Sequence, residues 1–112
     1  MNKYLILAFS NPIDGREDEF NDWYSNQHIQ DLLTVPGFVS AQRFKIATPP
    51  YQGPDLRFGY ACLYEVETHS IEQTFDDIKA AAGSFTISDA IDFDGAHVSA
   101  YEPVTPVVGR TQ

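Results

Sequence analysis

The segment 14–38 constrains the fold of this chain more than any other part, because it carries both the start and the stop signals of one long helix. Asp14 can cap the first turn, and Glu17, three residues later, can complete a capping box. Apolar residues then recur at steps of three and four until a Pro-Gly pair at 36–37 interrupts the pattern. The sequence therefore predicts a helix of about five turns that starts near residue 15.

Four side chains of this predicted helix project along nearly one line of its surface; they are Phe20, Tyr24, His28 and Asp31. An imidazole between a phenol one turn earlier and a carboxylate about one turn later is a candidate general acid/base set. The neighbouring groups can orient the ring and adjust its pKa. The alternative is that Tyr24 and His28 are amphipathic residues at the edge of the core, bonded to backbone or water, and spacing alone leaves both interpretations open.

The rest of the chain has the patterns of four strands and a second helix. Strand patterns occupy residues 3–10, 38–47, 57–67 and 93–102. A helix capped by Ser70 ends at Gly83, a proline-rich loop fills 48–55, and residues 84–91 fit either a helical turn or an irregular crossing. The order of these elements predicts an α+β fold of the ferredoxin-like βαββαβ type, with both helices on one face of a four-stranded antiparallel sheet.

Such a fold leaves the second face of the sheet bare. Alternation along the strands allows apolar side chains to populate that face, namely Leu5, Leu7, Phe9 and Leu63. An uncovered apolar patch of several hundred Å² is unusual on a monomer. Because pairing two sheets face to face removes the patch, we predict a homodimer.

Composition narrows the partners and the location. A chain of 112 residues is most simply one domain, which we assign to residues 1–104, followed by a tail at 105–112 that is extended or disordered. A net charge of −9 argues against nucleic acid and against anionic membrane surfaces. The first ten residues lack the layout of a signal peptide, and no apolar run approaches the ~20 residues of a membrane span. We therefore expect a cytoplasmic protein.

The sequence offers no metal-ligand spacing. Cys62 is the single cysteine, and its place in an apolar strand pattern is typical of a small buried hydrophobic residue. The three histidines, His28, His69 and His97, are far apart and form neither an HxH nor an HExxH motif. We predict neither a metal site nor a bound cofactor.

Phe20, Trp23, His28 and the Pro-Gly stop at 36–37 resemble the first helix of the EthD-like branch of the dimeric α+β barrel superfamily. The resemblance is strongest over residues 14–44, and the order of elements agrees over residues 2–104. Gln30 stands where many members have a proline two residues after the histidine. The resemblance implies a dimeric α+β barrel fold. The related families include cofactor-free cyclases, dehydratases, isomerases and monooxygenases, haem-binding relatives, and members without an assigned activity.

The predicted fold places a pocket between the first helix and the sheet. His28, Tyr24 and Asp31 are its candidate catalytic residues, and His97, in the middle of the fourth predicted strand, is a second candidate whose alternative role is an interface or core histidine. Candidate substrate-binding residues are all aromatic: Tyr4, Phe20, Trp23, Tyr51, Tyr60, Tyr64 and Tyr101. A pocket of this composition suits a hydrophobic aromatic or polyketide-like ligand, because the chain has no glycine-rich phosphate cradle and no arginine cluster.

Three functional hypotheses follow. The leading hypothesis is a cofactor-independent lyase or isomerase in which His28 is the general base, Tyr24 orients the base or donates to an oxyanion, and Asp31 supports the histidine. The competing hypothesis is a non-catalytic dimer, small-molecule-binding or stress-associated, that sequesters an aromatic compound. The third is a cofactor-free or haem-dependent monooxygenase. The fold does not select among these hypotheses, because one fold supports many activities.

Overall fold

The computed structural model describes residues 1–55 and 58–111. The strands are β1 (Asn2–Ser10), β2 (Phe38–Lys45), β3 (Tyr60–Thr68) and β4 (His97–Tyr101). The first helix, α1, consists of Glu17–Trp23, a π-helical segment Tyr24–His28, and Ile29–Leu32; the second helix, α2, is Ile71–Ala82. The strands pair antiparallel in the order β2-β3-β1-β4, which confirms the predicted βαββαβ fold.

Both helices cover the same face of the sheet. The alternate residues of β1 and β3 that form this face are buried, among them Ile6, Tyr64 and Val66. They belong to one core cluster with Phe20 of α1, against which apolar side chains of α2 pack. The opposite face carries the four predicted side chains Leu5, Leu7, Phe9 and Leu63, which are exposed or only partly buried. The predicted asymmetry between the two faces is therefore confirmed.

The middle of α1 is wound as a π-helix, which the sequence pattern did not predict. At its end the backbone N–H of Ile29 donates to the carbonyl of Tyr24, five residues earlier. A π turn contains more residues than an α turn, so side chains five residues apart come onto the same side of the helix. This geometry brings the rings of Trp23 and His28 into a stack with centroids 4.6 Å apart.

The predicted starts of three elements are wrong by two to four residues, and the third strand begins at Tyr60 rather than at 57. The first helix begins at Glu17 rather than near residue 15 and has no side-chain cap, because Gly15 adopts a φ of +80° and forms a turn ahead of it. The fourth strand begins at His97 rather than at 93. A turn precedes it, in which the carboxylate of Asp92 accepts a hydrogen bond from the N–H of Asp94 at 3.2 Å. The predicted first residue of the third strand, Arg57, lies outside the described residues.

A β-bulge in β2 changes which of its side chains face the helices. Phe38 pairs with Val66, whereas Ser40 pairs with its neighbour Glu65, so Val39 is an extra residue in the strand. In a strand without a bulge, Phe38 and Arg43 would lie on opposite faces. Because of the bulge, both lie on the helix side of the sheet.

Other predicted signals are confirmed. Gly37 has a φ of +92°, and a Cβ there would lie 2.8 Å from the carbonyl oxygen of Glu67, so both the conformation and the space require glycine. The hydroxyl of Ser70 accepts the N–H of Gln73 at 3.2 Å and caps α2. Residues 84–91 form an irregular crossing. Among the described residues, no helix has the length and apolar character needed to cross a membrane.

Candidate functional site

A cavity of about 490 Å³ lies between α1, α2, the sheet and the crossing at 84–91. Its lining is mainly apolar. The walls come from β1, β2 and β4 (Ile6, Ala8, Phe9, Phe38 and Val98), from α1 and α2 (Leu32, Phe75, Ile78 and Ala82), and from the crossing and the turn before β4 (Phe85, Ile87, Ile91, Phe93 and Ala96). A concave, largely apolar site of this size is typical of binding sites for small organic molecules.

Four polar side chains line the cavity among these apolar groups: Ser10, Tyr24, His28 and Tyr64. The sequence analysis selected three of them. The fourth, Ser10, lies on the same face of β1 as Ile6 and Ala8 and was not selected as a site residue. The sequence feature that could have identified Ser10 is its position as a lone hydroxyl at the end of an otherwise apolar strand face.

The environment of His28 keeps its imidazole neutral. The ring stacks on Trp23 and meets the edge of Tyr24, with ring centroids 4.9 Å apart in the second contact. Burial lowers the pKa of His28 to about 4; Arg43 acts in the same direction, and Asp31 partly opposes them. The buried Nδ1 atom of His28 has no hydrogen-bond partner among the described residues. The ring is therefore neutral at pH 7, and its Nδ1 is not engaged by any other residue that the structure describes.

The two tyrosines of the cavity form a buried pair of phenols. The hydroxyl of Tyr64 donates to that of Tyr24, with the oxygens 3.4 Å apart. Burial, with Cys62 nearby, raises the pKa of Tyr24 to about 12, and burial beside Tyr24 and Cys62 also raises the pKa of Tyr64. Both phenols are therefore protonated at pH 7, and Tyr24, which accepts from Tyr64, keeps one proton that it can donate to the nearby Cys62 or to a ligand.

Arg43 is a central contact of this region that the sequence analysis missed. Its guanidinium lies over the ring of Tyr24, 4.5 Å from the centroid, and near the rings of Phe20 and Tyr60. It also donates to the hydroxyl of Ser25 at 2.8 Å. No local pattern signals this position, because the bulge at Val39 creates it. Arg43 thus packs against the ring of Tyr24 but does not line the cavity.

Asp31 binds the crossing to α1 rather than the ring of His28. One carboxylate oxygen accepts the N–H of Thr86 at 3.1 Å, and the other accepts from the amide of Gln27 at 3.0 Å. The indole N–H of Trp23 makes a parallel link, since it donates to the carbonyl of Thr86 at 2.7 Å. These bonds fix the crossing that forms one wall of the cavity. The effect of Asp31 on His28 is electrostatic.

The remaining candidate aromatic residues lie away from the cavity. Phe20 is fully buried in the core, and the hydroxyl of Tyr60 donates to the carboxylate of Glu17. Tyr4 lines a separate groove beside the C-terminal tail, and Tyr51 is 99% exposed at the tip of its loop. None of these four side chains is in contact with the cavity.

His97 and Tyr101 lie on the outer face of the sheet. His97 is paired with Phe9 and Tyr101 with Leu5, so both share the face opposite to Ile6 and the cavity. The expectation that they line one pocket with His28 is therefore wrong. His97 contacts Ser99 instead, with the ring Nε2 2.8 Å from the hydroxyl oxygen.

Comparisons with known proteins agree with this geometry at the level of the fold. An EthD family protein from Bacillus halodurans matches 93% of this chain and 100% of its own, with a TM-score of 0.58 and 20% identity. The haem-degrader MhuD from Mycobacterium tuberculosis, with two haems bound in its active site, matches 94% and 99%, with a TM-score of 0.60 and 17% identity. The chain has the ferredoxin-like α+β fold that these proteins share.

One more solved structure and one sequence relative are also similar to this chain. A dimeric ferredoxin-like protein from Jannaschia has a similar fold; the match covers 90% of this chain and 99% of that protein, with a TM-score of 0.56 and 16% identity. In sequence, 65 residues are 34% identical to core atranone cluster protein 1 from the fungus Stachybotrys chlorohalonatus. That match covers 56% of this chain and 26% of the relative, so the chain spans about a quarter of the relative's length. No protein-family model matches the chain.

Proposed function

We propose that the cavity binds a hydrophobic aromatic ketone and that His28 moves a proton beside the carbonyl group, as in a cofactor-independent lyase or isomerase. One observation carries the proposal: the neutral ring of His28 lines a mainly apolar cavity, and its buried Nδ1 has no partner among the described residues. Buried polar atoms normally have partners, and those that lack one in a binding cavity are candidates for contact with a ligand.

The proposed reaction uses the protonation states of the site as they stand. Neutral His28 accepts a proton from the carbon next to the carbonyl, and the phenol of Tyr24 donates a hydrogen bond to the developing enolate oxygen. Before a ligand binds, His28 is a weak base, because its pKa is about 4. The negative charge that forms beside it in the same apolar cavity favours the imidazolium, and so strengthens the base as the reaction proceeds.

Hydrogen exchange tests proton transfer without knowledge of the natural substrate. The probe is 2-acetylnaphthalene in D₂O, and proton NMR follows the loss of its acetyl methyl signal with and without protein. We expect the protein to accelerate exchange at the methyl group above the rate in buffer. Binding without accelerated exchange would reject the catalytic proposal and support the alternative, in which the same cavity sequesters an aromatic compound.

Haem-dependent oxygen chemistry fits the cavity less well. A neutral histidine is a suitable ligand for haem iron, and MhuD, which shares the fold, has haems bound in its active site. Haem also carries two carboxylates, however, and the described residues that line the cavity include neither lysine nor arginine to pair with them. We therefore prefer the proton-transfer proposal.

We also propose that two copies of the chain pair through their outer sheet faces. Large apolar side chains remain exposed there, including Leu5, Phe44 and Tyr101. The tail beside this face exposes Val104, Val107 and Val108 almost completely. A symmetric partner would cover both regions. Sedimentation equilibrium at micromolar concentration should give about twice the chain mass of 12.6 kDa, whereas a monomer would reject the pairing.

A further inference from the structure

The hydroxyl of Ser10 is buried inside the cavity, without a partner among the described residues. Ser10 is only 3% exposed, and its Oγ has no hydrogen-bond partner among the described residues. Most buried hydroxyls are paired, because leaving a polar atom unpaired in an apolar site costs free energy. Ser10 is in contact with the cavity, so a ligand that enters the cavity can supply the missing partner.

Ser10 and the tyrosine pair mark separate positions along the cavity. Ser10 is paired with Tyr60 in the sheet, whereas Tyr64 is paired with Ile6. Ile6 and Ser10 are four residues apart on the same face of β1, which corresponds to about 13 Å at the rise of a β-strand. The lining between the two positions is apolar and includes Ala8. The polar groups of the cavity therefore form two clusters, Ser10 at one and Tyr24, His28 and Tyr64 at the other.

We propose that Ser10 is a ligand-positioning residue that hydrogen-bonds an oxygen at the far end of an elongated, fused-ring aromatic ligand. The carbonyl group of that ligand lies at Tyr24 and His28, and its rings fill the apolar length between the two clusters. This inference rests on the proposed function and adds the substrate class: fused-ring ketones with a second oxygen remote from the carbonyl. A single-ring ketone would reach only one cluster.

A matched pair of ligands and a matched pair of variants test the proposal. The ligands are 6-hydroxy-2-acetylnaphthalene and 2-acetylnaphthalene, which differ only in the remote hydroxyl. The variants are Ser10→Ala and, as the control, Ser99→Ala on the outer face of the same sheet. Binding is measured by titration calorimetry and folding by thermal melting. Each comparison removes one hydroxyl, from the ligand or from the protein.

We expect the remote hydroxyl to strengthen binding to the unchanged protein and to Ser99→Ala about tenfold, as one hydrogen bond in a buried site does. In Ser10→Ala this gain should disappear, while the affinity for 2-acetylnaphthalene and the melting temperature are maintained. A purely structural serine would instead lower the melting temperature and weaken both ligands equally, which would overturn the proposal.

Failure of this inference is distinguishable from failure of the proposed function. If 2-acetylnaphthalene binds and exchanges its methyl hydrogens, but the remote hydroxyl gives the same gain in Ser10→Ala as in the unchanged protein, the role of Ser10 is wrong and the function stands. If neither ligand binds to the unchanged protein, the substrate class and the proposed function are both wrong.

Discussion

The same three residue types, histidine, serine and tyrosine, occur on the two sides of the sheet, but they differ in burial and in hydrogen-bond partners. On the covered face, His28, Ser10 and Tyr64 line a cavity, and the histidine Nδ1 and the serine hydroxyl have no partners among the described residues. On the outer face, His97 and Ser99 bond to each other at 2.8 Å, and Tyr101 is half exposed. Residue type alone therefore does not identify a site.

Burial is what separates the two histidines. The ring of His28 lies under Trp23 and against Tyr24, and loss of water around it lowers its pKa to about 4. His97 is exposed, and its Nε2 already lies 2.8 Å from the hydroxyl oxygen of Ser99. A group held out of water and without a partner can interact strongly with a ligand, whereas a group already satisfied has little to gain.

The largest expected effect is on the rate of exchange when either histidine is removed. His28→Ala should lower the accelerated exchange of 2-acetylnaphthalene about 10²–10⁴-fold, because a general base is lost, while His97→Ala leaves it unchanged. NMR exchange rates and melting temperatures are measured on both variants. A stable His28→Ala protein with full activity would end the catalytic assignment and direct attention to His97. A structural role for His28 predicts instead a stability loss of ~1–3 kcal/mol with activity retained in the folded fraction.

The next largest effect is on how the folding stability depends on pH, through His28 on the covered face. The pKa of His28 is lowered in the folded state from 6.5 to about 4, so between these values the unfolded chain binds a proton that the folded chain does not. This contribution to stability is complete above about pH 6.5 and is lost as the pH falls toward 4, by roughly 3 kcal/mol at most.

Urea unfolding at pH 7 and at pH 4.5 measures this contribution. His28→Gln is the control, because it keeps a polar side chain but removes the titration. We expect the unchanged protein to lose more stability between the two pH values than His28→Gln does. Equal losses in the two proteins would show that His28 titrates normally in the folded state and that burial does not keep it neutral.

The outer face should respond to charge by losing association. Leu5→Arg places a cation in the proposed contact between two sheets, and we expect self-association to weaken about a hundredfold because the charge must be desolvated. Ala80→Arg, on the exposed side of α2, adds the same charge elsewhere and should not change it. Sedimentation equilibrium compares the two. Equal masses for both variants would place the contact between copies somewhere other than this face.

The smallest predicted effect separates the tyrosines of the two faces. Tyr24→Phe removes one phenol from the cavity and keeps the ring, so exchange should fall about tenfold, the worth of one hydrogen bond to the enolate oxygen. Tyr101→Phe makes the same change on the outer face and should have no effect. An unchanged rate in Tyr24→Phe would remove Tyr24 from the mechanism while leaving the role of His28 intact.

The sequence by itself determined the order of elements and the strand faces of β1 and β3. Ser70 and Gly83 bounded α2, and the Pro-Gly pair at 36–37 formed the turn between the end of α1 at Leu32 and the start of β2, because capping and turn preferences act within a few residues. The alternation of large side chains from Tyr60 to Val66 predicted their shared face, since the period of a strand is also a local property. The selection of Tyr24, His28 and Tyr64 as site candidates followed from these patterns.

Tertiary structure alone decided which side the residues of β4 face. Alternation along β4 puts His97, Ser99 and Tyr101 on one face, but the residues between them, Val98 and Ala100, gave no reason to assign that face to the helices or to solvent. The bulge at Val39, which brought Arg43 under α1, arises from pairing with β3, a partner distant in sequence. The Ser10 hydroxyl and the His28 Nδ1 likewise lack partners because none of the described elements around them places a hydrogen-bonding group beside them. Local periodicity defines sets of residues, whereas their burial and their partners are properties of the assembled chain.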